Sequence, residues 1–326
     1  MSHATALQIA QLALSGFRRS SGKPLKKEEI AAKVDEILAM PMFASGVNRS
    51  ALIRELEERF TVWSDDAQIL GGDDAHTPWL PARRSDVDWA FWNRYKLFLG
   101  GQLPPASLDS VDKVTEDILG ELENPIRAGA WDRRGLVMGH VQSGKTANYT
   151  SLICKAADAG YKVIVVLAGL HNNLRSQTQV RLDEGFLGYK SVPPRPGGAA
   201  FERTGVSRFD PRPKADSVTN RAEKGDFTNS AARHFGIHPG GNPLLFVVKK
   251  NVSVLENLLA WIRSSADGTD SDTGRRFHKN IPLLVIDDEA DQASVNTKVL
   301  AIDEDGNPDE EHNPTRINEL IRRLLI

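Results

Sequence analysis

The stretch GLVMGHVQSGKTANYTSLICKAADAGYKVIVVLAG, residues 135–169, decides the fold. Its apolar run at 135–139 predicts a short buried strand, and the apolar periodicity that follows predicts a helix ending at Gly160. The continuous apolar run from Tyr161 predicts a second buried strand. Runs of this kind are typical of parallel sheets covered by helices on both faces. The stretch therefore predicts an α/β fold with a parallel sheet.

Residues 139–146, GHVQSGKT, match the phosphate-binding loop pattern G-x-x-x-x-G-K-[ST] at every fixed position. The match lies between a predicted strand and a predicted helix, which is the context that this motif requires. Its glycines let the backbone approach phosphate closely, so that amide N–H groups face phosphate oxygens at the positive end of the helix. The residues predicted to hold the nucleotide are Gly139, Gln142, Ser143, Gly144, Lys145 and Thr146.

Two side chains of this loop carry specific chemistry. Lys145 should reach the β- and γ-phosphates and stabilise their charge during transfer, and the Thr146 hydroxyl should bind Mg²⁺. A guanine-specific site would need an Asn/Thr-Lys-x-Asp motif, and the sequence KNVS at 250–253 is not one. The predicted cofactors are therefore ATP and Mg²⁺.

An acidic group, DDEAD at 287–291, follows the apolar run Leu283–Ile286. Open α/β sheets hold their ligands at the carboxyl ends of strands. One carboxylate there should hold the Mg²⁺ shell, and its neighbour should orient and deprotonate the attacking water. We predict that Asp288 is the metal-side residue and that Glu289 is the general base. Asp287 replaces Asp288 in this role if the strand ends one residue earlier.

Helical periodicity dominates the first part of the chain, including an aromatic stripe at 86–99 that indicates a packed core. The segment at about 188–243 has no clear periodicity and is interpreted as an irregular insertion. Strand and helix patterns alternate again after it. We predict an α-helical region at 1–123, followed at 124–326 by a RecA-like P-loop domain with a doubly wound parallel sheet.

In their order, the motifs resemble the first motor domain of superfamily 2 helicases, with DEAD at Asp288–Asp291. The strings GHVQSGKTAN, VLAGLHNNLRSQTQVRLDEGFLG, VVKKNVSVLENLL and LLVIDDEAD together resemble the Z1 domain family, whose members are often labelled endonucleases. This resemblance covers Asn124 to the C-terminus, and LHNNLRSQT is its most specific part. It implies a helicase-type ATPase that acts on nucleic acid, with DNA as the expected substrate. It also implies a restriction-like or phage-defence setting, with defence-system proteins as partners.

The helicase resemblance also implies where nucleic acid is contacted. The contacting segment after the second strand corresponds to residues 168–177, with Arg175 and Gln177, and the next contact corresponds to Lys249 and Lys250. Ordinary surface charge is the alternative interpretation of these basic residues. A second motor domain with an arginine finger would lie beyond residue 326, so the resemblance implies an N-terminal fragment.

Two other classes of function stay open. The first is an endonuclease component whose nuclease centre lies outside this chain, because the sequence has neither a Glu-x-Lys metal motif nor a His-centred one. The second is a nucleotide-gated switch or scaffold that binds partners through the helical N-terminal region.

Composition limits the remaining choices. The formal net charge is −2, and the most basic stretch, residues 190–224, has eight Lys or Arg against four Asp or Glu. That stretch is interpreted as a solvated loop or as a local nucleic-acid stripe. The single cysteine, Cys154, excludes an internal disulfide and is expected to be a packed thiol. No run approaches the ~18 apolar residues of a membrane span, so we expect a cytoplasmic protein that does not contact a membrane.

Overall fold

The structure is a computed structural model. It describes residues 5–7, 9–10, 13–14, 27–40, 43, 47–60, 76–138, 144–192, 201–269, 271, 274, 276–291, 293–295, 301–302, 308–309 and 315–324. The chain divides into two compact units. Unit 1 comprises residues 1–75, 99–117 and 135–148, and unit 2 comprises residues 76–98, 118–134 and 149–326. Residues 76–98 and 118–123, which lie within the predicted α-helical region at 1–123, belong to the unit that holds the sheet.

The helices, in chain order, are α1 (Lys27–Leu38), α2 (Arg49–Phe60), α3 (Leu80–Arg83), α4 (Ala90–Gly100), α5 (Pro105–Glu121), α6 (Lys145–Ala159), α7 (Asn172–Leu182), α8 (Asn229–Ala232), α9 (Val252–Ser264) and α10 (Arg316–Leu324). In unit 1, α1 and α2 pack through apolar side chains three and four residues apart, as their periodicity predicts. Their buried residues are Ile30, Val34, Ile37, Leu52 and Leu56.

The strands, in chain order, are β1 (Val163–Ala168), β2 (Asp216–Ser217), β3 (Leu244–Val248), β4 (Gly268–Thr269), β5 (Arg276–Phe277), β6 (Leu283–Asp288), β7 (Ala301–Ile302) and β8 (Pro308–Asp309). The main sheet has the order β2-β3-β1-β6, and all its neighbouring strands are parallel. The remaining strands form two short antiparallel pairs, β4 with β5 and β7 with β8. The predicted α/β fold with a parallel sheet is therefore present.

The core of unit 2 lies against this sheet. Every residue of β1 is buried, and Val165 lies opposite Phe246 of β3 and Val285 of β6. Side chains alternate along a strand, so one face of β1 packs with apolar residues of α9 and α10. The Asn251 side chain caps α9 by accepting the N–H groups of Ser253 and Val254. Helix α9 lies after residue 243, where the sequence predicts that strands and helices alternate.

The aromatic stripe of α4 is core, as expected. Trp92 and Tyr95 are buried, and the first turn of this helix is capped from α6. The Asp158 carboxylate accepts the N–H groups of Phe91 at 2.9 Å and of Trp92 at 2.8 Å. Burial raises the pKa of Asp158 to about 7. Cys154, on the same helix, is a buried free thiol.

The strand predicted at 135–139 is not found at the described positions, Gly135–Met138. This segment has no regular secondary structure, and the side chains of Leu136, Val137 and Met138 are 76%, 60% and 85% exposed. A strand needs a neighbour for its backbone hydrogen bonds. Within the described ranges no strand pairs with this segment. Its apolar composition alone was therefore not sufficient to form a strand.

The segment at 188–243 is less irregular than predicted. It contains β2, which forms one edge of the main sheet, as well as a 3₁₀ turn at Gly205–Arg208 and helix α8. It also buries apolar side chains, among them Val206, Ala215, Val218 and Phe227. The described part of this segment is therefore integrated into the fold. No helix within the described ranges combines the length and the apolar character that crossing a membrane requires.

Candidate functional site at the carboxyl edge of the sheet

The carboxyl ends of β1, β3 and β6 meet at one edge of the sheet because these strands are parallel. The Lys250 N–H donates to the Gly169 carbonyl at 2.9 Å, which joins the turns after β3 and β1. Gly169 has a φ of +60°, and a Cβ atom there would lie 3.0 Å from Leu174 Cδ1 and 3.6 Å from Glu289 Oε2. The positive φ favours glycine here, because residues with a Cβ rarely adopt this conformation.

A buried lysine holds the acidic end of β6 in place. The Lys250 side chain is fully buried, and its ammonium lies 2.7 Å from Asp287 Oδ1. It also donates to the backbone carbonyl of Glu289 at 2.7 Å. A buried ammonium is tolerated only when it is paired and hydrogen-bonded. The charge of Asp287 is therefore compensated within the fold.

Asp288 and Glu289 differ from Asp287 in their surroundings. Strand β6 extends through Asp288, which lies opposite Ala168 of β1, and alternation along the strand turns Asp288 away from the face of Asp287. Glu289 follows with a φ of +55° and is exposed. Left-handed backbone at a residue other than glycine costs about 1–3 kcal/mol and is concentrated at functional sites. The edge thus presents two carboxylates on a backbone that the surrounding contacts hold.

This donor set is compatible with Mg²⁺. Among the residues that the structure describes, no three His, Cys, Asp or Glu side chains gather into a metal cage. Mg²⁺ is usually held by one or two carboxylates, with water and phosphate oxygens completing its shell. Asp288 meets this requirement, whereas Asp287 is already engaged by Lys250.

The described part of the phosphate-binding loop consists of Gly144, Lys145 and Thr146. Gly144 has a φ of +72° and directly precedes α6, whose first turn is closed by the Asn148 N–H donating to the Gly144 carbonyl at 3.0 Å. Lys145 is exposed at the first position of the helix. The predicted binding residues Gly139, Gln142 and Ser143 lie outside the described residues.

The four side chains predicted to contact nucleic acid fall into two groups. Arg175 and Lys250 are buried, and Arg175 Nη2 donates to the Ala222 carbonyl at 2.5 Å. Neither side chain has accessible surface in this structure, and their contact with nucleic acid stays a prediction. Gln177 is exposed, and the half-buried Lys249 donates from Nζ to Asn172 Oδ1 at 3.0 Å.

Sequence reasoning missed a buried polar network around Asp183. Its carboxylate accepts hydrogen bonds from the Ser191 N–H at 2.8 Å and from Gln179 Nε2 at 3.1 Å. It also forms an ion pair with Arg221 Nε at 2.8 Å. Burial raises the pKa of Asp183, which these hydrogen bonds partly oppose. The network ties the loop after α7 to the residues after β2, and its members are too far apart in sequence to form a recognisable pattern.

The fold and this edge define an α/β protein with a parallel sheet and a carboxylate-bearing strand end. No family model matches the chain, and no curated protein or solved structure is significantly similar to it.

Proposed function

We propose that this protein binds MgATP and hydrolyses it as a motor of the superfamily 2 helicase type that acts on nucleic acid. The observation that carries the proposal is the pair Asp288 and Glu289 at the carboxyl end of β6, the edge where open α/β sheets hold ligands. The complete phosphate-binding motif at 139–146 supports it from the sequence. The RecA-like layout and the Z1 resemblance are parts of the same proposal.

Each of the proposed site residues has its own role in the reaction. Lys145 pairs with the β- and γ-phosphates, and the amides at the start of α6 face phosphate oxygens. Asp288 and the Thr146 hydroxyl are the residues that would hold Mg²⁺, which would supply positive charge against the phosphates. Glu289 orients the attacking water and accepts its proton.

The ion pair between Lys250 and Asp287 favours Asp288 over Asp287 as the metal-side residue. Asp287 is compensated by Lys250, so we assign it a positioning role, and Asp288 keeps the metal role. Through its bond to the Glu289 carbonyl, Lys250 positions the general base as well. The proposed partners are nucleic acid, with DNA preferred over RNA, and defence-system proteins.

The first test is ATP binding by Lys145→Ala, measured by calorimetry or with a fluorescent ATP analogue. We expect binding to be abolished, because the variant removes the ammonium that pairs with the phosphates. Lys279→Ala is the matched control, since Lys279 is an exposed lysine in the turn before β6. Normal ATP affinity in Lys145→Ala would overturn the site assignment.

The second test separates a motor from a switch. The ATPase rate is measured alone and with single- and double-stranded DNA and RNA. Stimulation by at least one nucleic acid supports a motor. A rate that none of them changes would instead favour a nucleotide-gated switch or scaffold.

A further inference from the structure

Residues 201–214, FERTGVSRFDPRPK, form an exposed basic and aromatic segment of unit 2, which we call the 201–214 surface. Phe201 and Phe209 are 54% and 48% exposed. The basic side chains of this segment are also exposed, namely Arg203, Arg208, Arg212 and Lys214. Exposed aromatic rings beside cations are the combination that binds single-stranded nucleic acid in other proteins.

The carboxylates of this segment do not neutralise it. Glu202 is paired with Lys190, which lies outside the segment. Asp210 is paired with Arg212 at 2.8 Å, and hydrogen bonds from the Arg212 side chain and N–H lower the pKa of Asp210 to about 2. The cations Arg203, Arg208 and Lys214 have no ion pair within the described part of the chain. The surface therefore has uncompensated positive charge.

One of the two aromatic rings borders a cleft of about 240 Å³. Phe201 stacks on Tyr189 with ring centroids 4.7 Å apart and planes inclined by 29°. Because Tyr189 covers one face of the ring, the exposed area of Phe201 belongs to its other face and edges. Arg203 and Lys214 line the same cleft, and so does the acidic Asp216. Pockets for drug-sized ligands have about 300–1,000 Å³, so this smaller cleft suits one planar group beside two cations.

The segment is held in this conformation by interior contacts. Arg94 is 1% exposed and donates to the carbonyls of Pro213 at 3.0 Å and Asp210 at 3.3 Å. Gly205 has a φ of +50°, and a Cβ atom there would overlap the carbonyl of Glu184. A surface that is already ordered loses little conformational entropy when it binds.

We propose that the 201–214 surface binds single-stranded nucleic acid, with a base stacking on the free face of Phe201 and Arg203, Arg208 and Lys214 contacting phosphates. Proteins that bind single strands without sequence preference combine a basic groove with aromatic side chains on which bases stack. Bases within a duplex are stacked on each other and are not available to Phe201. The inference deepens the proposed function, on which its choice of a nucleic-acid partner rests. It also gives nucleic acid an accessible surface in place of the buried Arg175 and Lys250.

The test uses fluorescence anisotropy without ATP. The probes are labelled oligo(dT) and oligo(rU) of about 20 nucleotides, longer than the roughly 4–16 of one binding site. An abasic strand and a duplex of the same length complete the set. We expect the single strands to bind more tightly than both the abasic strand and the duplex. Tighter binding of oligo(dT) would identify DNA as the preferred nucleic acid, and tighter binding of oligo(rU) would identify RNA.

Two kinds of variant separate stacking from charge. Phe201→Ala should weaken oligo(dT) binding about 5- to 150-fold and leave binding of the abasic strand unchanged, because it removes one stacking platform. Phe277→Ala is the matched control, as Phe277 is an exposed phenylalanine of β5. Lys214→Gln should weaken the binding of both the oligo(dT) and the abasic strand. It should also reduce, by about 0.7, the slope of log affinity against log salt concentration. Phe209→Ala provides a second aromatic variant if Phe201→Ala does not fold.

The outcomes distinguish this inference from the proposed function. Lys145→Ala should lose ATP binding and keep strand binding, whereas Phe201→Ala should keep ATP binding and weaken the binding of base-carrying strands. Equal affinity for abasic and base-carrying strands, or tighter binding of the duplex, would overturn the inference while leaving ATP binding intact. Equally tight binding of polyglutamate would also overturn it and would favour an acidic protein partner.

Discussion

Two apolar runs of this chain, each followed by residues predicted to act on a nucleotide, have different structures. LLVI at 283–286 forms the body of β6, pairs with β1 and leads into the carboxylates at its end. LVM at 136–138 has a similar composition, yet its side chains are exposed and it lies in no strand. The difference shows that an apolar run forms a strand only where a neighbour completes its backbone hydrogen bonds.

The two regions also differ in how their functional residues are fixed. The turn after β6 is held by Lys250, a side chain that lies 37 positions earlier than Asp287 and carries a buried charge. The described part of the phosphate-binding loop is fixed locally, by the left-handed Gly144 and the first turn of α6. Substitutions that act on one region and spare the other can therefore test each assignment separately.

The largest effect is expected from Glu289→Gln. This variant keeps the shape of the side chain but removes the general base, so the ATPase rate should fall about 10²- to 10⁴-fold while ATP binding is kept. Steady-state turnover and equilibrium binding are measured in parallel. Glu223→Gln, another exposed glutamate, should retain the full rate. A Glu289→Gln protein with normal turnover would remove Glu289 from the mechanism.

Lys250→Met should lower the free energy of unfolding by about 3 kcal/mol, because it leaves the half-buried Asp287 without its partner. Urea unfolding measures this change. Lys249→Met, next to it and half-buried, should cost under about 1 kcal/mol. Similar losses in the two variants would mean that the ion pair does not hold the end of β6.

Leu284→Ala and Met138→Ala compare the two apolar runs directly. Leu284 is 6% exposed, so its truncation should cost about 2–5 kcal/mol through lost burial and a cavity. Met138 is 85% exposed, and its truncation should change stability by no more than about 0.5 kcal/mol. A large loss in Met138→Ala would show that residues 135–138 are buried as a strand in solution.

The smallest effect concerns the backbone at Glu289. Glycine adopts a φ of +55° without strain, so Glu289→Gly should raise the free energy of unfolding by up to about 1 kcal/mol while turnover is lost. Ala290→Gly is the control, since Ala290 is not left-handed and its replacement should destabilise slightly. A destabilised Glu289→Gly would indicate that the glutamate is in this conformation for stability and not for function.

Much of the fold could be predicted from local pattern. The buried runs at β1, β3 and β6, the helices α6, α7 and α9, and the core role of the α4 aromatics all have the spacing that sequence reasoning uses. β2 escaped prediction because it has only two residues and pairs in the sheet without a distinctive apolar run. Its place depends on β3 and on the Asp183 network, which joins residues nearly forty positions apart.

The sequence by itself determined the alternation of strands and helices, the phosphate-binding motif and the acidic strand end, because each is encoded by residues close together in the chain. Tertiary structure alone decided which charges are accessible. Arg175 and Lys250 lie in segments where the sequence predicts accessible cations, and both are buried. Arg203, Arg208 and Lys214 lie in a stretch without a motif, and all three are exposed. Burial of a charge depends on partners such as the Ala222 carbonyl and Asp287, which distant parts of the chain supply. Local spacing does not contain that information.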